Sequence, residues 1–130
     1  MTIEKFTRVG DNFFAFNYKL QGILYSSIVR FEYKCTDEQF LKMLPQINDN
    51  LCWLEGNLID IKTQVDSKLP HNTDLTILGK CNIVSFSLLF NKDDELIVNI
   101  AYGYGGGVYL SSNFKNKKIC EVGLNQFRCR

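Results

Sequence analysis

The fold is decided by residues 29–40, VRFEYKCTDEQF, where a strand pattern passes directly into a helix start. Val29 and Phe31 alternate with charged residues, and a period of two is typical of a strand with one buried face. Residues 36–39, TDEQ, then form a capping box, in which the threonine hydroxyl accepts a hydrogen bond from the amide of Gln39 and the glutamine reaches back. The stretch therefore predicts a sheet followed by a helix that begins at Thr36.

Upstream of this stretch, the strand pattern recurs in residues 12–20, NFFAFNYKL. Glycines at positions 10 and 22 lie on either side of this stretch, at hairpin spacing, and favour tight turns. The sequence predicts an antiparallel meander of residues 3–9, residues 12–20 and a third strand that ends at Cys35. On the second strand, the residues expected to share one face are Phe14, Phe16, Tyr18 and Leu20.

Downstream, apolar residues keep helical spacing as far as Leu54, but Pro45 lacks an amide proton and costs about 3 kcal/mol inside a helix. We therefore expect two short helices joined at Leu44-Pro45. Residues 59–65 alternate between apolar and polar, which predicts a half-exposed strand followed by a loop over 66–74. Further strands are expected at 76–90 (with a break at Gly79-Lys80), 96–102, 108–111 and 118–130. The charged residues 91–95 are expected to join the first two of these strands as a hairpin.

This order of strands, helices and strands indicates an α+β fold, a mostly antiparallel sheet with one or two short helices on one face. The chain has 130 residues, of which 45% are hydrophobic, so one domain over residues 1–130 can bury a core without a metal or disulfide. Charged residues such as Glu4 and Lys5 exclude the apolar segment of a signal peptide. The longest uncharged stretch, 96–114, is too polar for a membrane helix.

The five cysteines are odd in number and have no CxxC spacing, which favours small buried thiols in a reducing cytoplasm. His71 is the only histidine and lies in a polar loop. Residues 103–107, GYGGG, are followed by a strand pattern and lack the lysine of a phosphate loop, so a glycine-rich hairpin turn is expected. These patterns predict no catalytic site, no cofactor and no metal. The cysteines are Cys35, Cys52, Cys81, Cys120 and Cys129.

The net charge of +1 hides a strong asymmetry. Residues 35–75 carry seven acids and three bases, a sum of minus four, whereas residues 112–130 carry five bases and one acid, a sum of plus four. Each segment is either solvated surface or a docking patch. An acidic patch would dock a basic protein, and a basic tail would contact nucleic acid.

In size, cytosolic character, lack of a catalytic constellation and acidic helical middle, the chain resembles the small bacterial immunity proteins that neutralise a cognate toxin, including those of contact-dependent growth inhibition systems. The resemblance covers the whole chain and implies a non-catalytic inhibitor that binds its toxin, a nuclease domain being one candidate, and no membrane. We then expect acidic residues to speed association and aromatic residues to anchor the partner. The expected partner-binding residues are Asp49, Glu55 and Asp60 for charge, and Trp53 or the pair Tyr102 and Tyr104 as anchor.

Two further interpretations compete with this one. The first is a nucleic-acid binding module in which sheet aromatics stack on bases and basic residues near the C-terminus contact phosphates. The second is a small enzyme with an unfamiliar site or a barrel-like ligand binder, and a closed apolar cavity would favour the ligand binder. The phosphate-binding residues would be Lys115, Lys117, Lys118, Arg128 and Arg130, and the cavity would be lined by Phe14, Phe16, Phe86 and Phe90.

Overall fold

Seven strands and two α-helices make up the computed structural model, which describes residues 3–68, 82–103 and 108–126. They form an α+β fold, as the sequence predicts, and neither described helix is long and apolar enough to cross a membrane. The helices are α1 (Asp37–Gly56) and α2 (Leu58–Ser67). The strands are β1 (Thr7–Arg8), β2 (Phe13–Leu20), β3 (Ile23–Phe31), β4 (Asn82–Phe90), β5 (Leu96–Gly103), β6 (Val108–Lys115) and β7 (Lys118–Gln126).

The strands form one sheet in sequence order, from β1 at one edge to β7 at the other. Neighbouring strands are antiparallel except β3 and β4, which are parallel. Parallel neighbours need a crossover connection, and the chain between β3 and β4 contains both α-helices. The crossover therefore brings the second group of strands alongside the first and extends one continuous sheet.

The predicted helix start is confirmed in detail. The Gln39 amide donates to Thr36 Oγ1 at 3.2 Å, and the Thr36 amide donates to Gln39 Oε1 at 2.9 Å. The predicted break at Leu44-Pro45 is wrong, because α1 continues through Pro45 to Gly56. Pro45 is exposed, and buried residues on both sides of it, Phe40 and Ile47, fasten α1 to the sheet.

The predicted strand over residues 59–65 is also wrong, since these residues belong to α2. Ile61 and Val65 are fully buried, whereas Ile59 is 83% exposed. A strand would place all three on one face, but a helix groups only positions three or four apart. Burial of the helical stripe against the core therefore outweighs the local alternation of the sequence.

The remaining differences concern where strands begin and end. Only Thr7–Arg8 of the predicted strand 3–9 is a strand, preceded by a short 3₁₀ turn at Ile3–Lys5. The third strand ends at Phe31, four residues earlier than predicted, and β6 extends to Lys115 rather than residue 111. The strand expected over 118–130 is confirmed for residues 118–126. Residues 69–81, which include most of the predicted loop 66–74 and the break at Gly79-Lys80, lie outside the described residues, as do 104–107.

Both helices pack on the same face of the sheet, and a cluster of phenylalanines fills the space between them. The residues that the sequence groups on one face of β2 lie on its inward face, since Phe14, Phe16 and Leu20 are at most 4% exposed. The Phe40 ring of α1 lies 4.1 Å from the Phe14 ring, and Phe31 stacks on Phe90 at 4.9 Å between centroids. This packed layer leaves the opposite face of the sheet without a described helix.

Candidate binding surfaces

Asp49 forms an ion pair with the basic segment of the chain. Its Oδ2 lies 2.8 Å from Lys117 Nζ, and its side chain is 63% exposed. Lys117 belongs to the tight turn between β6 and β7, where it has a positive φ of 64°. The acidic middle and the basic tail therefore meet at this point, and part of their opposite charge is neutralised within the chain.

Glu55, also on α1, contacts strand β2 instead. Its Oε2 accepts a hydrogen bond from the Tyr18 hydroxyl at 2.8 Å. Burial and this hydrogen bond raise the pKa of Tyr18 to about 12. Because Tyr18 is on β2 and Lys117 follows β6, three strands separate the contacts of Glu55 from those of Asp49. The two carboxylates therefore contact different parts of the sheet.

The aromatic anchors expected from sequence are at least partly covered. Trp53 is half-buried, with its ring 5.5 Å from the Phe114 ring, and Tyr102 is only 3% exposed. Asp60, by contrast, is exposed on α2 and makes no ion pair with any other described residue. Tyr104 lies outside the described residues. Of the expected partner-binding residues that the structure describes, Asp60 is therefore the one presented to solvent without a fixed contact.

The face of the sheet opposite the helices, here called the helix-free face, carries one continuous row of side chains across six strands. Each member of this row is the direct cross-strand partner of the next. Three members are half-buried apolar residues and three are basic, so the row combines apolar contact area with positive charge. From β2 to β7, the cross-strand row is Phe13, Arg30, Leu89, Ile97, Lys115 and Lys118.

The cations of this row are oriented by their neighbours. The Arg30 guanidinium lies 5.7 Å from the centre of the Phe13 ring, within the range of a cation–π contact. Lys115 Nζ lies 2.8 Å from Glu95 Oε2, and this hydrogen bond raises the pKa of Lys115 while lowering that of Glu95. Lys118 is exposed at the β7 end. The row therefore presents charged groups beside apolar ones in a fixed arrangement.

A hydrogen-bonded polar network lies next to the row on the same face. Asn99 Nδ2 donates to Asn113 Oδ1 at 2.8 Å and to Ser111 Oγ at 2.9 Å. Asn113 Nδ2 in turn donates to Glu121 Oε2 at 3.3 Å. These bonds cross β5, β6 and β7 and hold amide and carboxylate groups in place, so a partner meets a preorganised polar surface.

Most aromatic side chains of the sheet point away from the helix-free face. Residues such as Phe16, Phe86 and Phe114 are buried against the helices, and Phe13 and Tyr109 are the aromatic residues that the described strands place on the other side. A stacking platform for single-stranded nucleic acid needs several exposed rings. Of the expected phosphate-binding residues, Lys115 and Lys117 are in ion pairs, and Arg128 and Arg130 lie outside the described residues.

The expectation of buried cysteines is confirmed for Cys35 and wrong for Cys52 and Cys120, which are exposed free thiols. Burial raises the pKa of the Cys35 thiol, although nearby Arg8 opposes that shift. The Cys120 thiol donates a hydrogen bond to the Asn113 carbonyl at 3.3 Å, at an irregularity in the pairing of β6 with β7. Cys81, Cys129 and His71 lie outside the described residues.

A cavity of about 360 Å³ opens between α2 and the end of the sheet where β2 turns into β3. It is not the cavity expected from sequence, because Phe14, Phe16, Phe86 and Phe90 are all packed in the core at 4% exposure or less. The actual cavity is lined mainly by aliphatic side chains and by Tyr102, with Lys62 and Thr63 of α2 on one wall. Its apolar lining residues are Leu20, Ile23, Leu58, Ile59, Ile83 and Tyr102.

Comparisons with protein-family models, with curated proteins and with solved structures found no match. Within residues 3–68, 82–103 and 108–126, no three His, Cys, Asp or Glu side chains group closely enough to hold a metal ion. The physical features of the two surfaces, the helix-free face and the cavity, therefore carry the functional argument.

Proposed function

We propose that this protein is a non-catalytic inhibitor of the immunity type, which binds a cognate toxin through the helix-free face of its sheet. The cross-strand row supports this proposal. It combines half-buried apolar residues with Arg30 beside the Phe13 ring, and arginine and aromatic residues are the usual energetic centres of protein interfaces. Carboxylates on the partner would complement Arg30 and Lys118, whereas Lys115 is already paired with Glu95.

The size of this face suits a protein partner. Five strand spacings of about 4.8 Å and eight residues at about 3.3 Å give a footprint of roughly 600 Å² before side-chain relief is counted. A stable interface typically buries about 800 Å² on each partner. Exposed apolar residues such as Leu24 (64%) and Val84 (59%) extend the same face, and apolar surface of this kind is typical of interaction sites.

The cysteines support a cytoplasmic location for this inhibitor. Cys35, Cys52 and Cys120 are free thiols, two of them exposed. Exposed free thiols persist in a reducing compartment, and disulfides are rare there.

The docking surface can be tested with two charge reversals and a matched control. The two charge reversals are Arg30→Glu, in the cross-strand row, and Asp60→Lys, on α2. The matched control is Lys42→Glu, at an exposed position of α1. Each tagged variant is expressed in the native host, and co-purifying macromolecules are identified by mass spectrometry and by ultraviolet absorbance. We expect a stoichiometric protein whose own activity is suppressed by equimolar addition of the inhibitor.

Arg30→Glu should lose this partner, while Asp60→Lys and Lys42→Glu retain it. If Asp60→Lys alone abolishes binding, the partner docks on the helices and the assignment of the helix-free face is wrong. Capture of nucleic acid without a stoichiometric protein, or capture of a protein whose activity is unaffected, would contradict the inhibitor function itself.

A further inference from the structure

We propose that the cavity between α2 and the β2–β3 turn binds a small amphipathic monoanion, a molecule with an apolar body and one carboxylate head. This site is separate from the helix-free face and does not depend on the proposed function. The cavity lies on the helix side of the sheet, whereas the cross-strand row lies on the other side.

The size and lining of the cavity define the apolar body. Its volume of about 360 Å³ falls within the range of small-molecule sites, roughly 300–1,000 Å³. An apolar cavity of about 150 Å³ suffices for benzene, so this one accommodates roughly a dozen non-hydrogen atoms. At its rim, Ile23 is 58% exposed and Ile59 is 83% exposed, and an apolar ligand would cover both.

The charge at the wall defines the head group. Lys62 contributes to the lining, and its Nζ lies 5.7 Å from the centre of the buried Tyr102 ring. Its side chain is only 22% exposed, and Asp66 Oδ1 lies 3.2 Å from Nζ, one helical turn further on. A ligand carboxylate at the cavity mouth would share the ammonium group with Asp66, while its apolar chain passed over Tyr102.

Two hydroxyl groups of the lining are already bonded within the chain. The Tyr25 hydroxyl donates to the Ile83 carbonyl at 3.0 Å, and the Thr63 hydroxyl donates to the Ile59 carbonyl at 3.0 Å. The lining also includes Gln21 and Asn82, but Lys62 is its one charged residue and most of its surface is apolar. That arrangement favours an amphipathic anion over a polyol or a nucleotide, which would bury several unpaired polar groups.

The probes for the test are hexanoate, octanoate and decanoate, with decanol as the uncharged comparison, titrated by calorimetry at low salt. We expect saturable one-to-one binding that tightens about fourfold for each added methylene until the cavity is full. We also expect decanoate to bind better than decanol. The proposal would be overturned if none of these probes showed saturable binding.

Variants locate the site and its charge. Thr63→Trp, whose exposed position tolerates a larger side chain, should fill the cavity and abolish binding, with folding verified by circular dichroism. Lys62→Met should weaken the binding of decanoate by about fivefold and leave the binding of decanol unchanged. Asp66→Asn should strengthen the binding of decanoate by about twofold, because the Lys62 ammonium group is then no longer paired with a second carboxylate.

Lys42→Met, the same substitution on the exposed surface of α1, serves as the matched control and should change the affinity for neither decanoate nor decanol. Undiminished binding in a folded Thr63→Trp variant would show that the ligand lies elsewhere. Equal effects of Lys62→Met and Lys42→Met on decanoate would refute the role of Lys62.

Discussion

Replacing Phe40 with alanine should lower the free energy of unfolding by about 4 kcal/mol, because this side chain joins α1 to the sheet. Phe40 is fully buried, and its ring contacts Phe6, Phe14 and Phe31 at centroid distances of 5.1, 4.1 and 6.2 Å. Phenylalanine-to-alanine changes in protein cores cost about 3–5 kcal/mol. Three ring contacts in well-packed surroundings place this substitution near the middle of that range or above it.

Such a loss is a large part of the total stability of a domain, which is typically about 5–15 kcal/mol. With an unfolding entropy of about 2.1 cal/mol/K per residue, 4 kcal/mol corresponds to a decrease in Tm of about 15 °C over the 130 residues. Urea denaturation and a thermal melt, both followed by circular dichroism, measure the two quantities. Leu41→Ala, at the adjacent and 49% exposed position, is the control and should cost less than 1 kcal/mol. Equal losses for the two variants would refute the orientation of α1 on the sheet.

Two further predictions concern the proline of α1 and the tyrosine that binds Glu55. Pro45→Ala should raise the free energy of unfolding by about 2 kcal/mol in urea denaturation, because it restores a helical hydrogen bond at the expense of a more flexible unfolded chain. A loss of stability would mean that packing of α1 requires the proline. Tyr18 has a folded-state pKa of about 12, above its ordinary value of 10.0. Its contribution to the free energy of unfolding is therefore present below pH 10 and is lost as the pH rises towards 12. Stability should therefore fall between pH 10 and 12, and less steeply in Tyr18→Phe, whereas identical slopes would contradict the Tyr18–Glu55 hydrogen bond.

The elements predicted correctly are those defined by local chemistry. The capping box at Thr36 needs only residues that lie three positions apart, and the sequence contains both partners. The hairpin between β4 and β5 is closed by Asn91, whose side-chain oxygen accepts the amides of Asp93 and Glu95. Such contacts form within a few residues, so they can be read directly from the chain.

The errors arose where packing overruled a local preference. Residues 59–65 alternate as a strand would, yet Ile61 and Val65 are buried as one helical stripe. Pro45 should end a helix, but buried residues before and after it hold α1 together on the sheet. In both places the free energy of burial against distant residues exceeds the local cost.

The candidate sites were less accessible to prediction than the fold. Summed charges showed an acidic middle and a basic tail, but not that Lys117 pairs with Asp49 or that Tyr18 binds Glu55. The cross-strand row depends on the parallel pairing of Arg30 with Leu89, which joins residues 59 positions apart. No sequence pattern specifies that register, because it depends on how the helical crossover returns the chain to the sheet.

By itself, the sequence determined the α+β class, the start of α1, the residues that share one face of β2 and the mostly antiparallel character of the sheet. These features depend on periodicity and on capping or turn residues that are close neighbours in the chain. Only the tertiary structure decided that residues 58–67 are helical, that Asp49 and Glu55 contact different parts of the sheet, and that a basic and apolar row crosses the helix-free face. The physical reason is that burial, ion pairing and strand register are interactions between residues far apart in the chain, and their free energies exist only once the helices pack on the sheet.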